Sequence, residues 1–287
     1  GLAVLFKTNS STISVQTEYG WTSEFINMTA ISYKGYDLYI KKDGEWQYAA
    51  SGVTRPKRPN ENLVLISNMG DQVKECMLYL PIYCEVRSVK IGVAQGSVIE
   101  SLESPFRHRI GIYGSSFTQG ICASRAGMSY PMQLMRSTGL QFLALGCGGN
   151  GKMQPHFAEI MCDAEVDAYV FDVFSNPTAE IIEQRLEKIR SVHPEKPLVF
   201  QQTIFRERRS FNQQYDQKES HKQALAARLM KEACKKYRNV YFIQTNATDD
   251  LHSTSVDGSH PNDYGYTLWA KSIEKPLLKI LKKHGIK

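Results

Sequence analysis

The spacing of apolar residues changes close to residue 105, and that change limits the fold more than any other feature of the chain. Up to residue 104 apolar and polar residues alternate at period two in short runs: Leu5-Phe6-Lys7-Thr8, Thr12-Ile13-Ser14-Val15-Gln16-Thr17, Leu38-Tyr39-Ile40, Met77-Leu78-Tyr79-Leu80 and Val89-Lys90-Ile91-Gly92-Val93. Turn residues such as Lys41-Lys42-Asp43-Gly44 separate them, the pattern of an antiparallel all-β domain with one buried face per strand. After Pro105 short apolar runs at Ile110–Tyr113, Gln141–Leu145, Ala168–Phe174, Leu198–Thr203 and Val240–Gln244 alternate with segments of helical period. Five such strands predict a parallel sheet covered by helices on both faces. The helices include Thr178–Val192, with Ile181, Ile182, Leu186 and Ile189 on one face, Gln217–Tyr237, and Tyr264–Leu281. The chain is therefore read as two domains, 1–104 and 105–287.

Composition removes several classes. Hydrophobic residues make up 42% and aromatics 10%, enough to pack a core and too much for wholesale disorder. No run approaches the roughly 18 apolar residues of a membrane helix. The opening Gly1-Leu2-Ala3-Val4 carries neither the basic start nor the cleavage site of a signal peptide, and a sequence beginning downstream of one reads the same way. Much of the net charge of +6 sits in Lys271, Lys275, Lys279, Lys282, Lys283 and Lys287, where it complements a terminal helix dipole; basic clusters interleaved with aromatics, as nucleic-acid binding requires, are not found. The six cysteines form no C-x-x-C pair and no dense framework, so buried thiols are expected and the compartment stays open.

Ligands of parallel α/β sheets bind beyond the carboxyl ends of the strands, so the following loops carry the chemistry. The first strand runs into Gly114-Ser115-Ser116-Phe117-Thr118-Gln119-Gly120, which presents a hydroxyl beside the start of a helix, where backbone N–H groups can stabilise an oxyanion. Thr118 stands where the second glycine of a Gly-x-Ser-x-Gly elbow would be. The last connection carries Asp257-Gly258-Ser259-His260-Pro261-Asn262-Asp263; a carboxylate three residues before a histidine can orient the imidazole while its other nitrogen faces a substrate. The bland alternative makes Asp257 or Asn262 a helix cap. Asp249, Asp250, His252, Asp257, His260 and Asp263 also invite a metal reading, but His-x7-His matches no usual zinc spacing and no cysteine is near in sequence. Asn176, after the third strand, offers an amide donor whose bland reading is a turn residue before proline.

The second strand ends in Gly146-Cys147-Gly148-Gly149-Asn150-Gly151-Lys152-Met153, which satisfies Gly-x-Gly-x-x-Gly and most of a Walker A loop, and Asp172 lies 21 residues after Gly151, as a ribose-binding or Walker B acid would. Met153 stands where a Mg²⁺-ligating hydroxyl belongs, and Pro155 is expected to disturb the helix turn that should receive a pyrophosphate. A nucleotide reading also leaves Ser116, Asp257 and His260 without work, whereas a hydrolase uses every loop, with the Gly149 N–H facing the oxyanion.

Taken in chain order, Ser116, Gly149, Asn176 and Asp257-Gly258-Ser259-His260 resemble the four blocks of the SGNH (GDSL-type) hydrolase superfamily over residues 106–287, and residues 1–104 resemble the β-sandwich, jelly-roll-like domain that precedes some bacterial members. Ser115 replaces the usual Asp before the nucleophile, and Asn176 lacks the usual Gly-x-Asn-Asp surroundings. The resemblance implies a flavodoxin-like three-layer α/β/α sandwich and ester hydrolysis: catalytic Ser116, Asp257 and His260, an oxyanion site of Ser116, Gly149 and Asn176, no metal and no organic cofactor. It also implies a small-molecule or glycan ester as substrate, with short acyl groups such as acetyl on carbohydrate, and a periplasmic or secreted setting. Alternatives are a lipase or acyl-thioesterase, a non-catalytic carbohydrate-binding protein, and a nucleotide-binding enzyme using Gly146–Lys152. Tyr19, Trp21, Tyr33, Tyr36 and Trp46 are either a sugar-stacking surface or, as is commoner, sandwich core. Oligomeric state is open.

Overall fold

A computed structural model of the protein describes residues 2–55, 57–58, 60–176 and 182–287, with the backbone alone at 182 and 183. Two compact units make up the chain, one of residues 1–105 with Ala123–Met128, the other of Phe106–Cys122 with Ser129–Lys287.

The first unit contains β1 (Ala3–Thr8), β2 (Ile13–Thr22), α1 (Ala30–Lys34), β3 (Tyr36–Lys42), β4 (Glu45–Gly52), β5 (Leu63–Ile66), β6 (Lys74–Tyr79), β7 (Cys84–Val93) and β8 (Ile99–Ser101). They form two antiparallel sheets in the orders β4-β3-β6-β1-β8 and β5-β2-β7. Phe6, Leu38, Cys76 and Leu78 of one sheet pack with Ile13 and Val15 of the other in a single core, so the unit is a β-sandwich. Asp43 and Gly44 both have positive φ, the primed turn whose twist suits a two-residue hairpin between β3 and β4. Strand β4 escapes the periodicity because it is an edge strand whose Trp-Gln-Tyr-Ala-Ala-Ser run is nowhere fully buried, so it shows no sharp alternation of faces. Tyr33 and Tyr36 are buried and Tyr36 Oη shares a 2.7 Å hydrogen bond with Thr17 Oγ1, whereas Trp21 is 60% exposed; these aromatics make no common stacking face.

A buried charge fixes the unit's second segment. Asp37 of β3 accepts a 2.9 Å hydrogen bond from Gly127 N and pairs with Arg125 Nε at 3.2 Å, while the Arg125 guanidinium lies 4.3 Å from the Tyr48 ring centre. A Cβ on Gly127 would fall 2.6 Å from Asp37 Oδ2 and 2.7 Å from the Tyr39 ring, so only glycine allows that approach. Removing one partner leaves an uncompensated buried charge. Arg125→Met is expected to lower the unfolding free energy by roughly 3 kcal/mol in urea titration, and addition of Asp37→Asn to restore at least about 1 kcal/mol of it; additive losses would refute this.

The second unit contains β9 (Arg109–Gly114), α2 (Ser116–Gln119), α3 (Tyr130–Thr138), β10 (Gln141–Gly146), α4 (Pro155–Asp163), β11 (Ala168–Asp172), α5 (Ile182–Val192), β12 (Leu198–Gln201), α6 (Gln213–Lys236), β13 (Val240–Ile243) and α7 (Asp263–Lys283). All five strands are parallel in the order β10-β9-β11-β12-β13, the doubly wound arrangement. On one face Tyr169, Phe171, Leu198 and Phe200 pack with Met161, Leu186, Ile189, Ala226 and Met230 of α4, α5 and α6. Helices α3 and α7 pack on each other, with Trp269 stacked 4.4 Å from Tyr130 at 8°. Helix α6 begins four residues before the expected Gln217 because Asn212 caps it, its side chain accepting from Tyr215 N. The expected helix start at 178–181 lies outside the described residues. Among those described, no helix is long and apolar enough to cross a membrane.

Candidate active site

With the strand order β10-β9-β11-β12-β13, the chain leaves β9 toward β10 and β11 toward β12, in opposite directions, so the carboxyl ends of β9 and β11 form the switch point at which such sheets bind ligands. Gly114 pairs with both Gly146 and Asp172, so the loops after the three strands emerge at one level. A Cβ on Gly114 would lie 2.1 Å from Thr118 Oγ1, which reserves this strand end for glycine and turns the chain sharply into α2. Ser115 caps α2, its Oγ accepting from Phe117 N at 3.2 Å, and Ser116 is the first helical residue.

Beneath this turn lies Asp172, 1% exposed. Its Oδ2 accepts from Ser115 Oγ at 2.8 Å and Thr118 Oγ1 at 3.1 Å, and its Oδ1 from Ser175 Oγ at 2.7 Å. Burial pushes the Asp172 carboxyl above the usual range, opposed by the hydrogen bonds from Ser175, Ser115 and Thr118. One carboxylate thus ties the turn that carries Ser116 to the loop that carries Asn176. The same enclosure by protein hydroxyls speaks against the ribose or Walker B alternative for Asp172.

The glycine-rich loop is corrected in the same way. A Cβ on Gly146 would meet Gln119 N at 2.0 Å, and one on Gly151 the Gly114 carbonyl carbon at 2.7 Å, so both glycines serve packing on the turn that carries Ser116. Cys147 N donates to Gly114 O at 2.9 Å and Gly148 N to Gln119 Oε1 at 2.8 Å, using two N–H groups that a phosphate cradle would need. Pro155 does not disturb α4; it occupies the first turn, where a missing N–H costs nothing. Gly149 is exposed, with φ of 72°.

On the other side of Ser116 is the turn before α7. Asp257 Oδ2 lies 2.7 Å from His260 Nδ1, while Asp257 Oδ1 accepts from Ser259 N at 2.9 Å and His260 N at 2.8 Å. Gly258, with φ of 81°, lets the turn close, and Arg208 N donates to its carbonyl at 2.7 Å. The helix cap is Asn262, accepting from Gly265 N at 3.0 Å, which leaves Asp257 to the histidine. His260 Nε2 stands 3.4 Å from Ser116 Oγ, and the imidazole meets the buried Phe117 ring at 5.3 Å, edge on. Behind Phe117, Trp269 donates to Gln201 Oε1 at 2.8 Å, and Tyr130 Oη is 2.8 Å from Thr118 Oγ1.

Asn176 is half-buried and follows Ser175, whose carbonyl accepts from Arg206 Nη2 at 2.5 Å and Lys222 Nζ at 3.4 Å. Arg206 also covers the Phe117 ring at 5.4 Å. Burial lowers the Lys222 ammonium to about 8, with Arg206 pushing the same way and Glu219 opposing. The acids of the 249–263 loop do not converge. Glu207 binds His252 Nδ1 at 2.7 Å, and the group among the described residues that draws Cys, His and Asp together is Cys122, Asp257 and His260. Sequence reading missed Asp172 as an anchor and Cys122 altogether; the hydroxyls at 115, 118 and 175 around the end of β11 were the available signal for the first.

The comparisons agree with this geometry. Residues 107–278 match the GDSL-like lipase/acylhydrolase family and residues 1–99 the N-terminal region of SGNH-type esterases known by its GxDLY signature, which here is Gly35-Tyr36-Asp37-Leu38-Tyr39. A Bacteroides ovatus protein assigned as a GDSL-like lipase is 39% identical, with a TM-score of 0.92 over 98% of this chain and 85% of that one. The salicylyl-acyltransferase SsfX3 of a tetracycline biosynthetic pathway is 17% identical with a TM-score of 0.70, covering 97% and 83%. A family two carbohydrate esterase from Clostridium thermocellum, in complex with cellohexaose, is 14% identical with a TM-score of 0.70, covering 100% and 94%. Among curated protein sequences none matches the chain. The chain belongs to the GDSL-like lipase/acylhydrolase family and is a hydrolase of ester bonds.

Removing the Asp172 acceptor strands three buried hydroxyls. Asp172→Ala is expected to cost about 3 kcal/mol of stability and at least about tenfold in turnover, Asp172→Asn less of each. The folded protein holds the Asp172 proton more tightly than the unfolded chain, so wild type should gain stability relative to Asp172→Asn as pH falls from neutral. Urea titrations at several pH values check both; a gap that closes on acidification would contradict the assignment.

Proposed function

We propose that the protein is a serine esterase that cleaves short-chain carboxylic esters, acetyl groups on carbohydrate foremost, through an acyl-enzyme on Ser116. The observation that carries the reading is the continuous line from Asp257 Oδ2 to His260 Nδ1 at 2.7 Å and from His260 Nε2 to Ser116 Oγ at 3.4 Å. The second contact is longer than a strong hydrogen bond, as is usual before substrate is bound.

His260, held in the Nδ1–H tautomer by Asp257, accepts the Ser116 proton as Oγ attacks the ester carbonyl carbon. The carbonyl oxygen becomes an oxyanion stabilised by the N–H groups of Ser116 and Gly149 and by the Asn176 amide. Collapse breaks the bond to the alcohol, which leaves with the proton returned from His260. Water, deprotonated by the same imidazole, then attacks the acyl-enzyme and releases the acid and free Ser116.

The choice of short acyl groups is supported by the connection after Ser116, which passes through a four-residue helix rather than a long apolar lid. The carbohydrate alcohol is supported by the fold shared with family two carbohydrate esterases, among them the one in complex with cellohexaose. An acyltransferase is the second reading, favoured by the likeness to SsfX3; it would use the same acyl-enzyme and replace water by another hydroxyl acceptor.

With p-nitrophenyl esters from acetyl to dodecanoyl, hydrolysis is expected to fall as the chain lengthens. Ser116→Ala or His260→Ala should lower kcat on the order of 10⁵-fold or more, and Asp257→Ala somewhat less. Near wild-type turnover in Ser116→Ala would overturn the mechanism, and preference for the longest chains would overturn the substrate class. Release of acetate from acetylated cello-oligosaccharide or xylan tests the carbohydrate assignment.

A further inference from the structure

The catalytic dyad has a third neighbour that the proposed chemistry does not use. Cys122 lies just beyond the left-handed Gly120 that ends α2, and is itself left-handed, with φ of 65°. This unusual conformation for a residue with a side chain accompanies a thiol that is 7% exposed beside the Asp257 carboxylate. Its Sγ, a carboxylate oxygen of Asp257 and a ring nitrogen of His260 all lie within 4.8 Å of one another. Residues far apart in sequence thus bring a thiol, an imidazole and a carboxylate to one point.

We infer that Cys122, Asp257 and His260 form an inhibitory site for a thiophilic divalent cation of the zinc class. The donor set selects the metal: thiolate and imidazole favour Zn²⁺ and Co²⁺ over Mg²⁺ and Ca²⁺, which demand oxygen. Tetrahedral zinc with bonds of 2.0 to 2.3 Å needs donors roughly 3.5 Å apart, so binding opens the Asp257–His260 pair from its 2.7 Å and draws in the Cys122 thiol. Asp257 Oδ1 stays engaged by Ser259 N and His260 N, leaving Oδ2 for the metal. A water would complete the tetrahedron.

The site acts on catalysis through the tautomer. His260 Nδ1 is the nitrogen that faces Asp257, and a cation bound there requires the other tautomer, so the ring's single N–H proton moves from Nδ1 to Nε2 while the thiol proton of Cys122 is released to solvent. With its proton on Nε2, the ring can no longer accept the Ser116 proton there. Metal and substrate turnover are therefore mutually exclusive without the metal touching Ser116. The inhibitory consequence rests on the reading of His260 as the base; the binding itself does not.

Co²⁺ titration of the full chain tests binding without reference to activity. Wild type is expected to develop a near-ultraviolet thiolate-to-cobalt absorption that is lost in Cys122→Ser and in His260→Ala, each checked for native circular dichroism. A band absent from wild type would overturn the site, and so would one persisting in either variant, since a partly exposed thiol elsewhere, Cys84, Cys147 or Cys234, would then be the ligand. Zn²⁺ should also inhibit p-nitrophenyl acetate hydrolysis reversibly, with chelator restoring activity. The half-inhibiting concentration should rise at least about tenfold in Cys122→Ser relative to that variant's own metal-free rate. Equal inhibition of both would overturn the coupling, and absence of ester turnover with an intact cobalt band would separate failure of the esterase reading from failure of the site.

Discussion

The geometry of the site depends on one buried carboxylate. Asp172 sits at the end of β11, in register with Gly114 at the end of β9, and accepts hydrogen bonds from Ser115, Thr118 and Ser175. A charge in that position is costly unless its acceptor sites are filled, and here three hydroxyls and a backbone N–H of Ser115 fill them. The return is rigidity: the turn that carries Ser116 and the turn that carries Asn176 cannot move independently. The departure of Ser115 from the aspartate usual in the resembled family becomes intelligible in these terms, because the carboxylate that anchors this turn comes from the neighbouring strand.

A second layer holds the imidazole side. Phe117 packs against both His260 and Trp269, and Trp269 stacks on Tyr130, which reaches Thr118 and so returns to the Asp172 network. The apolar faces of α3 and α7 therefore do more than fill one side of the sheet. They set the depth at which the His260 ring meets Ser116, and Asn262 fixes where α7 starts and how much chain is left for the Asp257–His260 turn.

Much of this was legible in the sequence. The change of period near residue 105 separates the β-sandwich from the parallel α/β fold, because strand alternation and buried apolar runs are direct consequences of which faces meet solvent. That Ser116, Asp257 and His260 meet was legible because a hydroxyl at a strand end and a carboxylate three residues before a histidine have few other uses together. What could not be read was contact between distant residues. The Gly146–Gly151 loop mimics a phosphate cradle until its glycines are seen to make room for Gln119 and Gly114, and Asp172 mimics a ribose acid until its hydroxyl partners surround it. Cys122 carries no local signal, since only the fold brings it to Asp257 and His260. Strand β4 was lost for a different reason: an edge strand is held by backbone pairing and does not need an alternating pattern.

The claim on which the account stands is that Ser116 is an activated nucleophile, and covalent capture tests it most directly. A fluorophosphonate ester, which phosphonylates an activated serine with loss of fluoride, should add once per chain. Peptide mass spectrometry should place the adduct on Ser116, with no labelling of Ser116→Ala and labelling slowed by several orders of magnitude in His260→Ala. A folded wild-type protein that stays unlabelled, or that carries the adduct on another residue, would contradict the account.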